Sequence, residues 1–120
     1  MNWTAISAIN MALAVALGAF GAHAIKAIAS IEQLAWWQTA TQYFFYNALG
    51  LLFISILIRL GHISQTPAWL IQTGIILFSG SLYLMTLGAP RWFGAITPIG
   101  GTLMIVGWLW LAFTALRYQN

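Results

Sequence analysis

Few side chains in this sequence can do acid–base or ligand chemistry. Glu32 is the sole acid, His23 and His62 are the histidines, Lys26, Arg59, Arg91 and Arg117 are the cations, and cysteine is absent. A metal centre needs clustered His, Cys or carboxylate ligands. A hydrolytic triad needs a nucleophile, a base and an orienting acid within reach of one another. With two histidines in separate regions, one acid and no thiol, neither set can be assembled. The reading is therefore not an enzyme, with no cofactor and no metal. What remains is hydrogen bonding by amides, hydroxyls and indoles at helical spacing. Thr39, Tyr43 and Asn47 fall on one stripe, flanked by Gln42 and Tyr46. Gln72, Ser79, Tyr83 and Thr86 share a second face, and Thr97, Gly101, Met104 and Trp108 a third.

The elements that carry these residues are apolar. Of 120 residues, 62% are hydrophobic and 4% charged, with a mean hydropathy of +0.88. A soluble domain carries about 25% charged residues, and a chain this short has too much surface to cover with five charges. Lipid is the expected solvent. The net charge of +3 is scattered, which fits helix-end anchors and not a nucleic-acid patch. A spanning helix needs about 20 mostly apolar residues. Four segments meet that length, near 3–25, 39–60, 68–87 and 95–116. The expected fold is one domain, an all-α membrane protein whose four spans form an antiparallel bundle. Ala22-His23-Ala24 imitates a signal-peptide cleavage site, but no Lys or Arg precedes the run and further spans follow, so it reads as a retained first span. Lys and Arg divide two against two between the membrane sides, so orientation is not assigned.

The connections have recognisable chemistry. Ser30-Ile31-Glu32-Gln33 has the capping-box form. A helix therefore starts near Ile31 and either continues or bends into the second span, with Trp36 and Trp37 at the membrane interface. Gly61 to Pro67 reads as a turn with Pro67 opening the third span. Gly88 and Pro90 stop that span, and Arg91 and Trp92 anchor the next connection. Small residues mark where helices touch: Ala14, Gly18 and Ala22 at intervals of four, with Gly21 beside them and Asn10 one turn earlier, then Gly80 between Ser79 and Ser81, and Gly100-Gly101. Pointing these faces inward gives a polar cluster of His23, Gln42, Tyr43, Asn47, Ser79, Ser81, Tyr83, Thr97 and Trp108. Its first role is structural hydrogen bonding and its second a small-ligand site. His23 is the one ionisable side chain inside a helix end.

Four motifs together resemble a known family: GAFGAHAI from Gly18, TATQYFFYNALGLL from Thr39, FSGSLYLM from Phe78 and ITPIGGTLMIVGW from Ile96. They are similar to the YgdD/YwdK family of small four-span bacterial membrane proteins, a domain of unknown function. The resemblance covers nearly the whole chain and implies four spans, the bacterial inner (plasma) membrane and no established activity. One departure is Asn47, which stands where the family has a histidine after the Gln-Tyr pair. Asn47 can donate and accept but cannot titrate. The leading expectation is a non-enzymatic packing, assembly or accessory protein, with membrane lipid and either a second copy or another membrane protein as partners. The alternatives are a small oligomeric transporter or channel, or a lipid- or small-ligand-binding protein. Both would use the polar faces of spans two and three.

Overall fold

The computed structural model describes residues 1–118. Those residues form four long helices joined by short connections. Helix α1 spans Trp3–Ile28, α2 Ile31–Arg59, α3 Thr66–Thr86 and α4 Thr97–Tyr118. All four are long and apolar enough to cross a membrane.

Each helix boundary has a local cause. Asn2 caps α1, its side chain accepting from the Ala5 amide at 3.0 Å. Ser30 and Gln33 form the reciprocal capping box of α2, at 3.1 and 3.0 Å. The expected second span began at residue 39, but the helix runs unbroken from Ile31, so the interfacial start continues into the span. Pro67 sits in the first turn of α3, where its missing N–H costs nothing. Gly61 at φ +79° and Gly88 at φ +112° follow α2 and α3 in the left-handed region that side chains disfavour. The third connection is not wholly irregular: Arg91–Ala95 forms a 3-10 turn leading into α4.

Helix α1 contains a π-helical turn over Gly21–Ile25. The Trp37 indole lies against Gly21, so close that a Cβ there would collide with it. Its Nε1 donates to the Leu17 carbonyl at 2.9 Å. A side chain seated on the helix ladder is a recognised cause of such a distortion. Trp37 is only 3% exposed, so it is not the interfacial anchor that its position near a helix start implied. The interior gives it both a bond for its N–H and a ring partner, Tyr83, at 4.4 Å between centroids.

Sequential helices are neighbours: α1 packs on α2, α2 on α3, and α3 on α4. Glycine sets the tightest of these contacts. A Cβ on Gly100 would strike the backbone of Phe78, one on Gly74 would come within 2.7 Å of the Gly100 carbonyl, and one on Gly107 within 2.7 Å of the Ile71 side chain. The backbones of α3 and α4 thus approach as small residues in membranes allow. Helices two apart in sequence meet through longer side chains, Trp108 of α4 lying over Gly50 of α2 and Trp3 of α1 against Trp69 of α3. The result is a zigzag of helices about a core of Ala40, Ala48, Leu51, Ile54, Ala68 and Ile71, all at most 1% exposed.

Candidate functional site: the interhelical polar bonds

Hydrogen bonds between helices run through the interior from one membrane side to the other. Nearest the termini, Trp3 Nε1 donates to Gln65 Oε1 at 3.0 Å, and the Thr4 and Ser55 hydroxyls meet at 3.2 Å. Ser55 spends its own proton on the Leu52 carbonyl at 2.6 Å, so Thr4 is the donor in that pair. One to two turns further in, the Asn10 amide of α1 donates to Gln72 Oε1 of α3. On the opposite flank, Trp108 Nε1 donates to Asn47 Oδ1 at 2.8 Å, while Asn47 Nδ2 donates to the Tyr43 carbonyl at 2.8 Å. Asn47 is thus held by its own helix and holds α4.

The half near the first and third connections is joined by hydroxyls. Ser79 donates to the Ala40 carbonyl at 2.8 Å, and Thr86 to the Gln33 carbonyl at 3.1 Å. Ser81 and Thr97 pair at 2.6 Å across α3 and α4. Tyr83 and Thr41 pair at 2.7 Å; Thr41 already donates to the Trp37 carbonyl at 3.0 Å, which makes Tyr83 the donor. Among the described residues, no buried side-chain nitrogen or oxygen lacks a partner. In lipid such satisfaction is required, because no water replaces a missing bond.

The arrangement brings Asn47 and Trp108 together, Ser81 and Thr97 together, and Ser79 and Tyr83 onto α2. It does not bring in the rest of the expected cluster. His23, Gln42 and Tyr43 lie on the surface, Tyr43 being 45% exposed with its ring against Phe78 at 4.9 Å. The face of α2 that packs inward is set by Ala40, Phe44, Asn47, Ala48 and Leu51, which leaves Gln42 and Tyr43 outside it. Ala22 is exposed, nothing stands within 4 Å of a Cβ on Gly80, and one on Gly101 would make only ordinary contact with the Phe78 ring at 3.5 Å. These three are not tight packing points, whereas Gly74, Gly50 and Gly107 are. Ala14 is 1% exposed, and Gly18 is tight against Thr41, at 3.3 Å from a Cβ.

The interior bonds that sequence reasoning missed share one signal. Trp3, Asn10, Thr41 and Gln72 are donors or acceptors within apolar runs, and each implies a partner on another helix. No periodicity says which helix supplies it.

The open spaces lie between helices and face outward. A groove of about 470 Å³ separates α1 from α3, with Phe44 in its floor and the Asn10–Gln72 pair on its wall. Another of about 530 Å³ separates α2 from α4, lined by Tyr46, Phe78, Met104 and Trp108. Asn47 belongs to the second groove and Tyr83 to the first, while His23 lines neither. They therefore do not converge on one cavity. Among the described residues no three of His, Asp and Glu come close enough to hold a metal ion. The Arg91–Glu32 contact at 3.7 Å is solvent-exposed and ties the third connection to the start of α2.

Four apolar helices with internally bonded polar groups define an integral membrane protein, and its molecular function is unknown. The chain belongs to the family of proteins of unknown function DUF423, whose model matches residues 17–101. Its relatives are named as membrane proteins. A UPF0382 membrane protein of Staphylococcus epidermidis is 44% identical, covering 96% of this chain and 95% of the relative. The UPF0382 membrane protein YwdK of Bacillus subtilis is 42% identical over 94% of both chains. A UPF0382 membrane protein of Staphylococcus saprophyticus is 48% identical, covering 88% of this chain and 89% of its own length. No solved structure matches the chain.

Proposed function

We propose that this is a non-enzymatic protein of the bacterial inner membrane that acts by assembling with other membrane spans. The observation that carries the reading is how the interior polar groups are used. Asn10 bonds to Gln72, Asn47 to Trp108, Ser79 to the Ala40 carbonyl, Ser81 to Thr97 and Tyr83 to Thr41, so the interior polar groups tie helix to helix, and among the described residues no buried one is left over for a solute. The grooves open outward, where lipid or other helices fill them. An enzyme would need positioned acids, bases or nucleophiles, and Glu32, His23 and His62 are all exposed.

Purified protein in proteoliposomes tests this reading. Ion conductance and uptake of sugars, amino acids and polyols are expected to equal those of empty liposomes. Flux that is lost in Asn47→Leu or Tyr83→Phe would overturn it. Fractionation of bacterial envelopes checks the location and is expected to place the protein with inner-membrane markers.

A further inference from the structure

The interior is satisfied, but the outer face of α2 is not. Gln38 and Gln42 lie one turn apart on that face, both exposed, and neither side chain has a hydrogen-bond partner among the described residues. Their depth follows from the register of α2 against α3. Gln33 bonds to Thr86 and Ala40 to Ser79, so seven residues along one helix match seven along the other. Gln38 is therefore level with Ser81, and Gln42 with Leu77.

Helix α3 has 21 residues, about 31 Å at 1.5 Å per residue. The hydrocarbon core is about 30 Å thick. Helix α3 is thus about as long as the hydrocarbon core is thick, and Gln42 is level with a point nine residues, about 13 Å, from its Thr86 end. An unpaired primary amide near the bilayer midplane is costly and is normally satisfied by another helix.

The surrounding residues say what kind of helix fits. Gln38, Gln42, Phe45, Leu49, Leu52 and Ile56 follow one another at intervals of four, three, four, three and four. Phe45, Leu49 and Ile56 are 37%, 39% and 47% exposed. That is a seam of period 3.5, the pattern along which two helices wind in a left-handed crossing. Two copies inserted with the same topology relate by a twofold axis along the membrane normal, so each residue meets its own counterpart at the same depth. An amide is self-complementary, with a donor and an acceptor. A second copy therefore offers Gln42 another Gln42, and Gln38 another Gln38, without further adjustment. The groove between α1 and α2, about 490 Å³, is lined by Gln38 and Gln42 themselves together with Gly18, Ala22 and Lys26, and it leaves room for the partner's side chains.

We propose that the outer face of α2 is a homodimer interface, a parallel left-handed helix pair closed in the hydrocarbon by Gln38 and Gln42. This deepens the assembly reading by naming its surface and partner. The natural absence of cysteine makes the test direct. The full chain carrying Phe45→Cys or Leu49→Cys, reconstituted alone in liposomes and oxidised, is expected to give cross-linked dimers. Ile105→Cys on α4, 61% exposed, is expected to stay monomeric. Gln38→Leu with Gln42→Leu is expected to raise the dimer dissociation constant, read by subunit energy transfer during lipid dilution, by about threefold to tenfold per amide pair. Both positions are on the surface, so folding is checked by an unchanged circular dichroism spectrum. No energy transfer between copies, equal cross-linking at Ile105→Cys, or a leucine variant that dimerises as well as the parent would overturn the proposal. Pairing of this face with a different membrane protein predicts the first of those results. Solute flux from a dimer would instead sink the assembly reading and leave the interface standing.

Discussion

Asn47 and Trp108 show how a single polar residue acts in this interior. The amide accepts from an indole on α4 and donates to the carbonyl one turn earlier on its own helix, so both of its functions are engaged. Replacing Asn47 with Leu leaves the Trp108 N–H bare in an apolar site. The expected loss is about 1–2 kcal/mol of stability, measured by reversible unfolding in bicelles. Trp108→Phe removes the stranded donor, so the double variant is expected to lose less than the sum of the single ones. Strict additivity would mean that the bond contributes nothing. At the surface the logic reverses: Glu32→Gln breaks an exposed ion pair at 3.7 Å. It should change stability by less than about 1 kcal/mol in the same assay. At this scale the sequence showed which residues needed partners but not the pairing. Asn47 and Trp108 could be named as inward, yet their contact depends on where α2 and α4 lie, which spacing along either helix does not contain. Gln42 was misplaced for a related reason. It flanks the Asn47 stripe, and a helix buries only part of its circumference.

Among the elements, the helices themselves were legible and their contacts less so. Apolar length, the Ser30 capping box and Pro67 are local signals, and local chemistry places all of them. Contact glycines are harder to read, because a glycine in an apolar helix looks the same whether a backbone or lipid lies beside it. Gly80 and Gly100 make the contrast. Gly100→Ala would push against the Phe78 backbone, and overpacking of that kind costs about 1–3 kcal/mol. Gly80→Ala meets open space and exchanges a poor helix former for the best one, so it should hold or raise the melting temperature. Equal losses at both sites would refute the described packing of α3 on α4. Trp37 was misread for a physical reason too. Tryptophan prefers the interface, but the opening beside Gly21, the Leu17 carbonyl and the Tyr83 ring together make the interior better for this one. Gly21→Ala is therefore expected to dislodge the indole, seen as a shift of the Trp37 N–H resonance and loss of its protection from exchange. If that resonance stays put, Trp37 is not what spreads the helix into its π turn.

For the molecule as a whole, the zigzag order has a consequence for synthesis. Each helix packs on the one made just before it. Such neighbour-by-neighbour contact asks little of long loop closure, so structure can form as the chain emerges. The first two helices already share the Trp37–Leu17 bond and the contact of Gly18 with Thr41. A chain truncated and released after Gly61 should therefore leave the insertion machinery as a helical hairpin and resist protease within the bilayer. Helix α4, by contrast, arrives last onto a surface finished for it. Gly74, Ile71 and Gly50 are in place before Gly100, Gly107 and Trp108 leave the ribosome. The ribosome thus supplies the order of assembly, and the fourth span completes the packing of the other three.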